Sequence, residues 1–359
     1  MVNKKYSEIL LKFQNSKVLI TGNTGFIGSW LSLCLLHAGA KVKGIGLKQE
    51  QNSLFYLCKL HEKINHTELD ILNYQKLRET IEDFEPEYIF HLAAQPIVSA
   101  SYENPKLTFD TNISGSVNIL EAVRNTSSVK SFVYVTSDKC YKNKDMIWGY
   151  RESDELGGRD PYSASKAAAE IVFQSYLQSF FEENTKLGVA SARLGNVIGG
   201  GDWSQDRLMP SCIQSLINKQ TIVIRKPSAT RPWHHVFDLV RGLLYLAYHL
   251  HDNPRNFNGS WNFGSFPNRN NNVLQFCKEV INIWGKGDVL VETENQFPFE
   301  HEVLHLNIDK TNLKLGWEPY LEFEEAISET VKWYKNVFQG ECAYQISKKQ
   351  INSYINQLG

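Results

Sequence analysis

The stretch VLITGNTGFIGSWL, residues 18–31, sets the first constraint on the fold. A strand-like apolar run ends at Thr21, glycines follow at a spacing of three residues, and an apolar helical run begins at Phe26. Glycine permits a tight turn and a close backbone approach to an anion, which a helix N-terminus also attracts. The spacing is one residue longer than the G-x-G-x-x-G dinucleotide fingerprint. We expect a strand–turn–helix unit that binds a dinucleotide pyrophosphate through Gly22, Asn23, Thr24, Gly25, Phe26, Ile27 and Gly28.

Strand-like runs alternate with helical patterns along the first half of the chain. These runs lie at 17–21, 40–47, 66–69, 88–94, 131–137 and 188–196. Strands that alternate with helices imply right-handed crossovers and a parallel sheet that is covered on both faces. We therefore expect an α/β fold with a doubly wound, parallel Rossmann sheet.

The second half is richer in loops, and its helical patterns lie at 237–251, 271–284 and 321–337. We expect residues 1–195 to form a dinucleotide-binding Rossmann domain and residues 196–359 to form mainly a smaller, mixed domain that binds the substrate. The segment of about 235–260 is expected to return to the first domain.

Composition excludes several classes of function. Charged residues make up 21% of the 359 residues and the formal net charge is −1, so no overall field recruits nucleic acid or an anionic membrane. No apolar stretch approaches the length of a membrane-spanning helix, and the first 16 residues lack the apolar core of a signal peptide. The six cysteines are scattered without a C-x-x-C pair, which is typical of reduced thiols. We expect a cytoplasmic enzyme without nucleic-acid or membrane partners.

The strand after the first helix lacks the acidic residue that commonly binds the adenosine ribose. Leu47, Lys48 and Gln49 stand at its end instead, and this strand leaves the choice between NAD and NADP open. The small residues of HLAAQ allow a dinucleotide to lie close to the backbone, although tight packing explains them equally well. The remaining candidate cofactor contacts are Asp70, Ile71, Ala93, Ala94, Gln95, Asn112 and Thr136.

Two short motifs indicate catalysis rather than binding alone. In DPYSASKAAAE, Tyr162 and Lys166 are one helical turn apart and share a face. A nearby ammonium favours the tyrosine phenolate and makes Tyr162 a better base. In TSDKCY, Ser137 and Asp138 follow directly after the apolar run SFVYV, at the edge of the sheet where ligands bind.

The motifs TGNTGFIG, HLAAQ, TSDKCY and YSASK, in this order, resemble the extended short-chain dehydrogenase/reductase family. Within it, LGNVIGGGDWSQDRLMP and TRPWHHV resemble the CDP-D-glucose 4,6-dehydratases, and the match covers residues of about 16–335. The resemblance implies NAD as cofactor and CDP-glucose as substrate. It implies that Tyr162 takes the proton of the glucose 4-hydroxyl and Ser137 bonds the same oxygen. Lys166 is implied to hold the nicotinamide ribose, and Asp138 to protonate the departing C6 hydroxyl.

Lys139 leaves a question open. Related dTDP-glucose dehydratases carry a glutamate at this place, where it is the natural base for the C5 proton. A lysine does that work only if its pKa falls well below its ordinary value of about 10.4. Lys139 is therefore a candidate base, a candidate stabiliser of the enolate, or a solvated lysine beyond the strand.

Candidate substrate contacts lie in the second half, where two arginines in Gly- and Pro-rich loops suit a diphosphate. Together with weaker candidates taken from family position, the set is Ser137, Asn196, Arg207, Arg231, His235 and Asn262. The resemblance also implies a homodimer or homotetramer. Tyr102, Phe109 and the helical faces at 112–124 and 163–180 are either part of that interface or core.

The pentapeptide HEVLH, residues 301–305, matches the H-E-x-x-H zinc motif only in letters, since that motif requires a helix. The alternation of Leu304, Leu306 and Ile308 favours a strand, with a helix only after Asp309 as N-cap, so we expect no metal.

Two rival functions remain. A 4-epimerase of the same fold has no need for the Asp138–Lys139 pair. A non-catalytic dinucleotide sensor has no need for Ser137, Tyr162 and Lys166 together.

Overall fold

The apolar runs of the sequence form the strands of a parallel sheet. The computed structural model describes residues 5–266, 271–292 and 304–359. Within these residues the strands are β1 (Lys17–Thr21), β2 (Lys41–Gly46), β3 (Asn65–Glu68), β4 (Tyr88–His91), β5 (Ser131–Val135), β6 (Gly188–Leu194), β7 (Val197–Ile198), β8 (Ile222–Ile224), β9 (His234–His235), β10 (Gly259–Phe263) and β11 (Val289–Val291).

The central strands show the complete burial that is typical of a parallel sheet. Every residue of β5 and β6 is buried, as expected for strands that helices cover on both faces. In the described part of the chain, seven strands form the main sheet in the order β10-β6-β5-β4-β1-β2-β3, and all of them pair in parallel. The strand order reverses between β1 and β4. The predicted doubly wound α/β fold is therefore confirmed.

Helices cover both faces of this sheet. Among the described residues they are α1 (Tyr6–Lys12), α2 (Phe26–His37), α3 (Leu54–Leu57), α4 (Tyr74–Phe84), α5 (Val98–Glu103), α6 (Pro105–Phe109), α7 (Gly115–Arg124), α8 (Pro161–Tyr176), α9 (Leu208–Ile217), α10 (Val236–Asp252), α11 (Pro254–Phe257), α12 (Val273–Trp284), α13 (Asp309–Leu315), α14 (Phe323–Phe338) and α15 (Ala343–Leu358). One core layer includes apolar residues of α1, α2 and α10, and the other includes those of α4, α7 and α8.

Helix α8 begins at a well-defined start signal. The Ser163 N–H donates to the carboxylate of Asp160 over 2.9 Å, so Asp160 caps the helix. Pro161 takes the first helical position, where its missing N–H is not needed. This start fixes the positions of Tyr162 and Lys166 on the helix.

The second half of the chain contributes to both parts of the molecule. Helix α10 packs against β5, β6 and α2, and β10 adds a strand beside β6. Helices α9, α12 and α14 pack together near the small parallel pair of β8 and β11. The C-terminal helix α15 packs back against α1, α2 and α3, and the sequence reasoning did not include it. The domain boundary at residues 195/196 stays a prediction.

A buried carboxylate joins α10 to the C-terminal segments. Asp238 is fully buried and accepts hydrogen bonds from the backbone N–H of Tyr320 over 2.9 Å and of Leu321 over 3.1 Å. It also accepts from the Tyr354 hydroxyl of α15 over 2.5 Å, and the Arg241 guanidinium lies 3.6 Å away. One side chain therefore connects three separate parts of the chain.

No helix among the described residues is both long and apolar enough to cross a membrane. Residues 301–303 of HEVLH lie outside the described residues. Beyond them, Leu306 forms an isolated parallel bridge with Tyr150, which fits the expected extended conformation. Helix α13 begins at Asp309 itself with Ile308 as its N-cap, so the predicted N-cap was wrong by one residue.

Candidate active site

The glycine turn lies at the carboxyl edge of the sheet, where the strand order reverses. Gly22 adopts a φ of +73°, and a Cβ there would lie 2.7 Å from the backbone nitrogen of Ala93. A Cβ on Gly28 would lie 2.2 Å from the carbonyl oxygen of Gly22. Only glycine fits these two places, and no side chain caps the N-terminus of α2. The turn therefore brings the end of β4 and the start of α2 close together.

Asn23 and Thr24 place their side chains against β2. Both are buried, and a Cβ on Gly44 would lie 2.3 Å from Asn23 Nδ2. Asn23 Nδ2 lies 3.3 Å from Nδ1 of His66, while Asn23 Oδ1 is buried without a hydrogen-bond partner in the described part of the chain. These side chains pack within the fold, and their predicted cofactor contacts stay predictions.

The loop after β4 is fixed by side chains that surround it. The Ala93 N–H donates to Thr21 Oγ1 over 3.3 Å. Asn112 accepts from the Gln95 N–H over 2.8 Å, returns a bond to the Gln95 carbonyl, and donates to Ser165 Oγ over 2.8 Å. Asn112 thus ties this loop to α8. This explains its place near the site without a direct contact to a cofactor.

Two further cofactor candidates lie at the end of β3. Asp70 is exposed, and its carboxylate accepts from the Leu72 N–H over 2.9 Å. Ile71 is buried, with its side chain directly against Gly115 of α7. The structure gives both residues local roles, and their predicted position beside an adenine stays a prediction.

Ser137, Asp138 and Lys139 form a short 3₁₀ turn directly after β5. Ser137 caps the turn, because its Oγ accepts from the Lys139 N–H over 3.2 Å. The Ser137 hydroxyl donates to Asp138 Oδ1 over 3.0 Å. Asp138 Oδ2 is buried and has no hydrogen-bond partner among the described residues. The turn therefore presents a hydroxyl and a buried carboxyl group side by side.

The Tyr162 phenol lies opposite this turn, close enough to Ser137 for that side chain to lower its pKa. Burial raises the pKa of Tyr162 to about 12, although Ser137 and the Arg207 charge act in the opposite direction. Lys166 is 4% exposed, and its Nζ lies 6.0 Å from the centre of the Tyr162 ring. Burial lowers the pKa of Lys166 to about 8. In the protein alone, burial therefore changes the pKa of Tyr162 more than the expected opposing effect of the Lys166 ammonium does.

The Asp138 carboxyl group has a pKa that suits a proton donor rather than a base. Burial raises its pKa above the ordinary range, while the charge of Lys139 and the Ser137 hydrogen bond oppose that effect. A carboxyl group of this kind holds a proton to higher pH and suits an acid. Lys139 itself is half-buried, and its role stays a prediction.

The two predicted arginines act on these groups. The charge of Arg207 lowers the pKa of Tyr162, and the charge of Arg231 lowers that of Asp138. Arg207 Nη1 donates to the carboxylate of buried Asp202 over 3.0 Å. Both arginines are therefore close enough to act electrostatically on the reacting groups.

Asn196, another predicted substrate contact, is half-buried after β6. Its backbone carbonyl accepts the His234 N–H over 3.0 Å.

The structure gives His235 and Asn262 hydrogen-bond partners within the protein, and their predicted substrate contacts stay predictions. His235 is buried at the N-cap of α10, where its Nδ1 accepts from the Phe237 N–H over 3.2 Å. The amide of Asn262 is fully buried, donates to the Tyr150 carbonyl over 2.8 Å, and accepts from the Tyr141 hydroxyl over 2.7 Å. Their hydrogen-bonding groups hold loops in place at the sheet edge.

Among the described residues, no group of three or more His, Cys, Asp or Glu side chains is arranged to hold a metal ion. Comparison with known proteins identifies the family of the chain. The pattern of the GDP-mannose 4,6-dehydratase family matches residues 19–330. The chain belongs to this family.

Within this dehydratase family, the chain is 41% identical to the CDP-glucose 4,6-dehydratase of Salmonella typhimurium over 350 residues, which cover 96% of this chain and 97% of the relative. The predicted resemblance is thereby confirmed. Solved structures share the fold at lower identity. An epimerase from Methanothermobacter thermautotrophicus is 23% identical with a TM-score of 0.79 and covers 94% of this chain and 98% of its own. The NAD complex of the Bacillus anthracis dTDP-glucose 4,6-dehydratase is 23% identical with a TM-score of 0.74, covering 89% and 97%.

Beneath the site of this dehydratase-family chain lies a charged pair that the sequence reasoning missed. Glu170 of α8 is fully buried and accepts from Arg193 of β6 over 2.7 Å. Two signals were available in the sequence. Arg193 interrupts the apolar strand GVASARL, and Glu170 lies one turn after Lys166 in YSASKAAAE.

Proposed function

We propose that this protein is an NAD-dependent CDP-D-glucose 4,6-dehydratase, which forms CDP-4-keto-6-deoxy-D-glucose. One observation carries the proposal. A buried Asp138, with one carboxylate oxygen unpartnered among the described residues, lies beside the Ser137–Tyr162 pair. Oxidation at C4 needs only the serine and the tyrosine, whereas loss of water across C5 and C6 needs an acid as well. The fold itself does not distinguish the two reactions, since epimerases share it.

The oxidation step uses Tyr162 and Ser137. Tyr162 accepts the proton of the sugar 4-hydroxyl, and the Ser137 hydroxyl bonds the same oxygen. Because burial raises the pKa of Tyr162 to about 12, a nearby positive charge is needed before the phenol acts as a base near neutral pH. The Lys166 ammonium and Arg207 supply part of that charge from the protein.

The elimination step uses Asp138. Once C4 is a ketone, the C5 proton becomes acidic, and Asp138 donates its proton to the departing C6 hydroxyl. The raised pKa of Asp138 keeps this proton available. Lys139 either removes the C5 proton or stabilises the enolate, and replacing Lys139 with Met should slow the elimination in both cases.

The residues around the glycine turn fit NAD. The uncapped N-terminus of α2 and the close approach of Gly22 to the end of β4 form a cradle for a pyrophosphate. Lys166, next to Tyr162, would hold the nicotinamide ribose. NAD bound here would accept a hydride from C4 of the sugar and return it to C6. Arg207 and Arg231 are placed to bind the diphosphate of the sugar nucleotide.

A homodimer in the cytoplasm completes the proposal. Helices α5 to α8 and the segment after α8 expose apolar side chains, among them Tyr102 (51%), Ile171 (59%) and Phe180 (52%). All six cysteines are described and carry free thiols, which fits a reducing compartment. Sedimentation should show a dimer that Ile171→Glu dissociates. Leu313→Glu is the matched control, because Leu313 is 79% exposed and belongs to α13, which is not one of these helices.

The experiment that tests the function is a substrate comparison. The purified protein with NAD is incubated separately with CDP-, dTDP-, GDP- and UDP-glucose, and products are examined for the alkali-induced chromophore of 4-keto-6-deoxy sugars. The expected result is product with CDP-glucose and no added reductant. Formation of a CDP-galactose product instead would support the epimerase, and absence of any product would refute both enzymes.

A further inference from the structure

The buried pair of Glu170 and Arg193 lies on the same side of α8 as the catalytic residues. Side-chain exposure is 0% for Glu170 and 2% for Arg193. Tyr162, Lys166 and Glu170 are each one turn apart, so the three share a face of the helix. A buried ion pair is often no more stabilising than apolar residues of similar volume. Stability alone therefore does not explain this pair.

Glu170 holds the end of β5 directly before the catalytic serine. The Thr136 hydroxyl donates to Glu170 Oε1 over 2.5 Å, and Ser137 is the next residue. The other carboxylate oxygen accepts from Ser191 over 3.0 Å and from Ser260 over 3.3 Å, in addition to Arg193. These contacts come from three neighbouring strand regions. They fix the position of the carboxylate and, through Thr136, the start of the catalytic turn.

Glu170 also acts on Lys166 by charge. Burial lowers the pKa of Lys166 to about 8, and negative charge at Cys140 and Glu170 opposes this. Burial raises the pKa of the Cys140 thiol, so that group is neutral near pH 7. His91 of β4 also faces Lys166, but burial lowers its pKa to about 3, and Tyr162 is likewise uncharged in the protein alone. The Glu170 carboxylate, one helical turn from Lys166, therefore favours the protonated form of the Lys166 ammonium.

We propose that Glu170 is a positioning residue for the dehydratase reaction: it fixes Ser137 through Thr136 and maintains the charge of Lys166. The inference rests on the proposed function for the reaction itself. The effect on Lys166 is independent of the sugar, because it is measured through NAD binding.

The first test separates charge from folding. Glu170→Gln removes the charge but leaves Arg193 unpaired, so a loss of stability is expected. The double variant Glu170→Gln with Arg193→Met has neither charge and is expected to melt near the wild-type temperature. The dissociation constant of NAD is measured against pH for all three proteins. The pH at which NAD affinity is lost should move down by about one unit in Glu170→Gln, and by less in the double variant, because loss of the Arg193 charge offsets part of the effect. An unchanged pH profile in the folded double variant would refute the effect on Lys166.

The second test concerns Ser137. Thr136→Val removes the hydroxyl but keeps the Glu170 charge. It should lower kcat about 10- to 100-fold on CDP-glucose while the pH profile of NAD binding stays at the wild-type position. A wild-type kcat would refute the positioning of Ser137. If the wild-type enzyme is inactive on CDP-glucose, the proposed function fails, whereas the NAD titrations still decide the role of Glu170.

Discussion

Replacing Asp138 with Asn separates the two halves of the proposed reaction. Asparagine keeps the shape of the side chain and an oxygen that can accept the Ser137 hydroxyl, now 3.0 Å from Asp138 Oδ1. It cannot donate a proton from the position of Oδ2, which is buried and without a hydrogen-bond partner in the described residues. Oxidation at C4 depends on Ser137 and Tyr162 and should persist.

The expected size of the effect follows from loss of one general acid, which contributes about 100- to 10,000-fold to a rate. This corresponds to roughly 3–5 kcal/mol in the barrier to elimination. The same substitution should leave the thermal stability of the folded protein unchanged or raise it. Burial raises the pKa of Asp138, so its contribution to stability is present at low pH and lost as pH rises through that pKa. At neutral pH the neutral amide avoids this loss, and the variant should melt at or above the wild-type temperature.

The assay is rapid mixing of the NAD-loaded variant with CDP-glucose, followed by the absorbance of reduced nicotinamide. Reduced cofactor should build up on the variant because its reoxidation waits for the slow elimination. Product formation is measured in the same samples. Normal turnover by a folded Asp138→Asn protein would show that another group is the acid. Failure to reduce NAD at all would show that Asp138 acts before the elimination.

Three further outcomes are expected. Tyr162→Phe should abolish reduction of NAD, with NAD affinity retained; measurable reduction in stopped flow would exclude Tyr162 as the base. Gly28→Ala places a methyl group 2.2 Å from the Gly22 carbonyl, so we expect a loss of about 1–3 kcal/mol in the free energy of unfolding and weaker NAD binding by titration. Asp202→Asn should raise the KM for CDP-glucose about tenfold, because Arg207 loses its 3.0 Å partner; a changed kcat at unchanged KM would contradict this.

The fold was predictable because local signals and burial agree. Strand-like runs such as SFVYV are fully buried, and the Gly22 turn leads directly into α2, so the order of elements follows from pattern. Helix α15 was missed because its sequence, AYQISKKQINSYINQL, is polar overall and has only a narrow buried face. Its place depends on contacts with α1, α2 and α3, which are distant in sequence.

The site was predictable only where chemistry is concentrated in short motifs. Ser137 and Tyr162 come from separate motifs, yet they lie close together, because α8 packs against the turn that follows β5. For Asn262 and His235, sequence position does not reveal that the side chain is buried and hydrogen-bonded within the protein, and their substrate contacts stay predictions. The pair of Glu170 and Arg193 shows a different limit. A charged residue within a buried segment indicates that it has an ion-pair partner, but only the structure identifies which residue that partner is.

The position of Asp238 limits how the enzyme can admit its substrate. Its carboxylate binds two backbone N–H groups and the Tyr354 hydroxyl, and hydrogen bonds to a charged group are worth about 1.5–3 kcal/mol each. A hinge that swung the C-terminal segments away from α10 would break several of them in a dry interior. Opening of that kind would be rare and slow. Entry and exit of the sugar nucleotide are therefore expected to depend on loops at the carboxyl edge, with the two halves of the molecule moving as one piece.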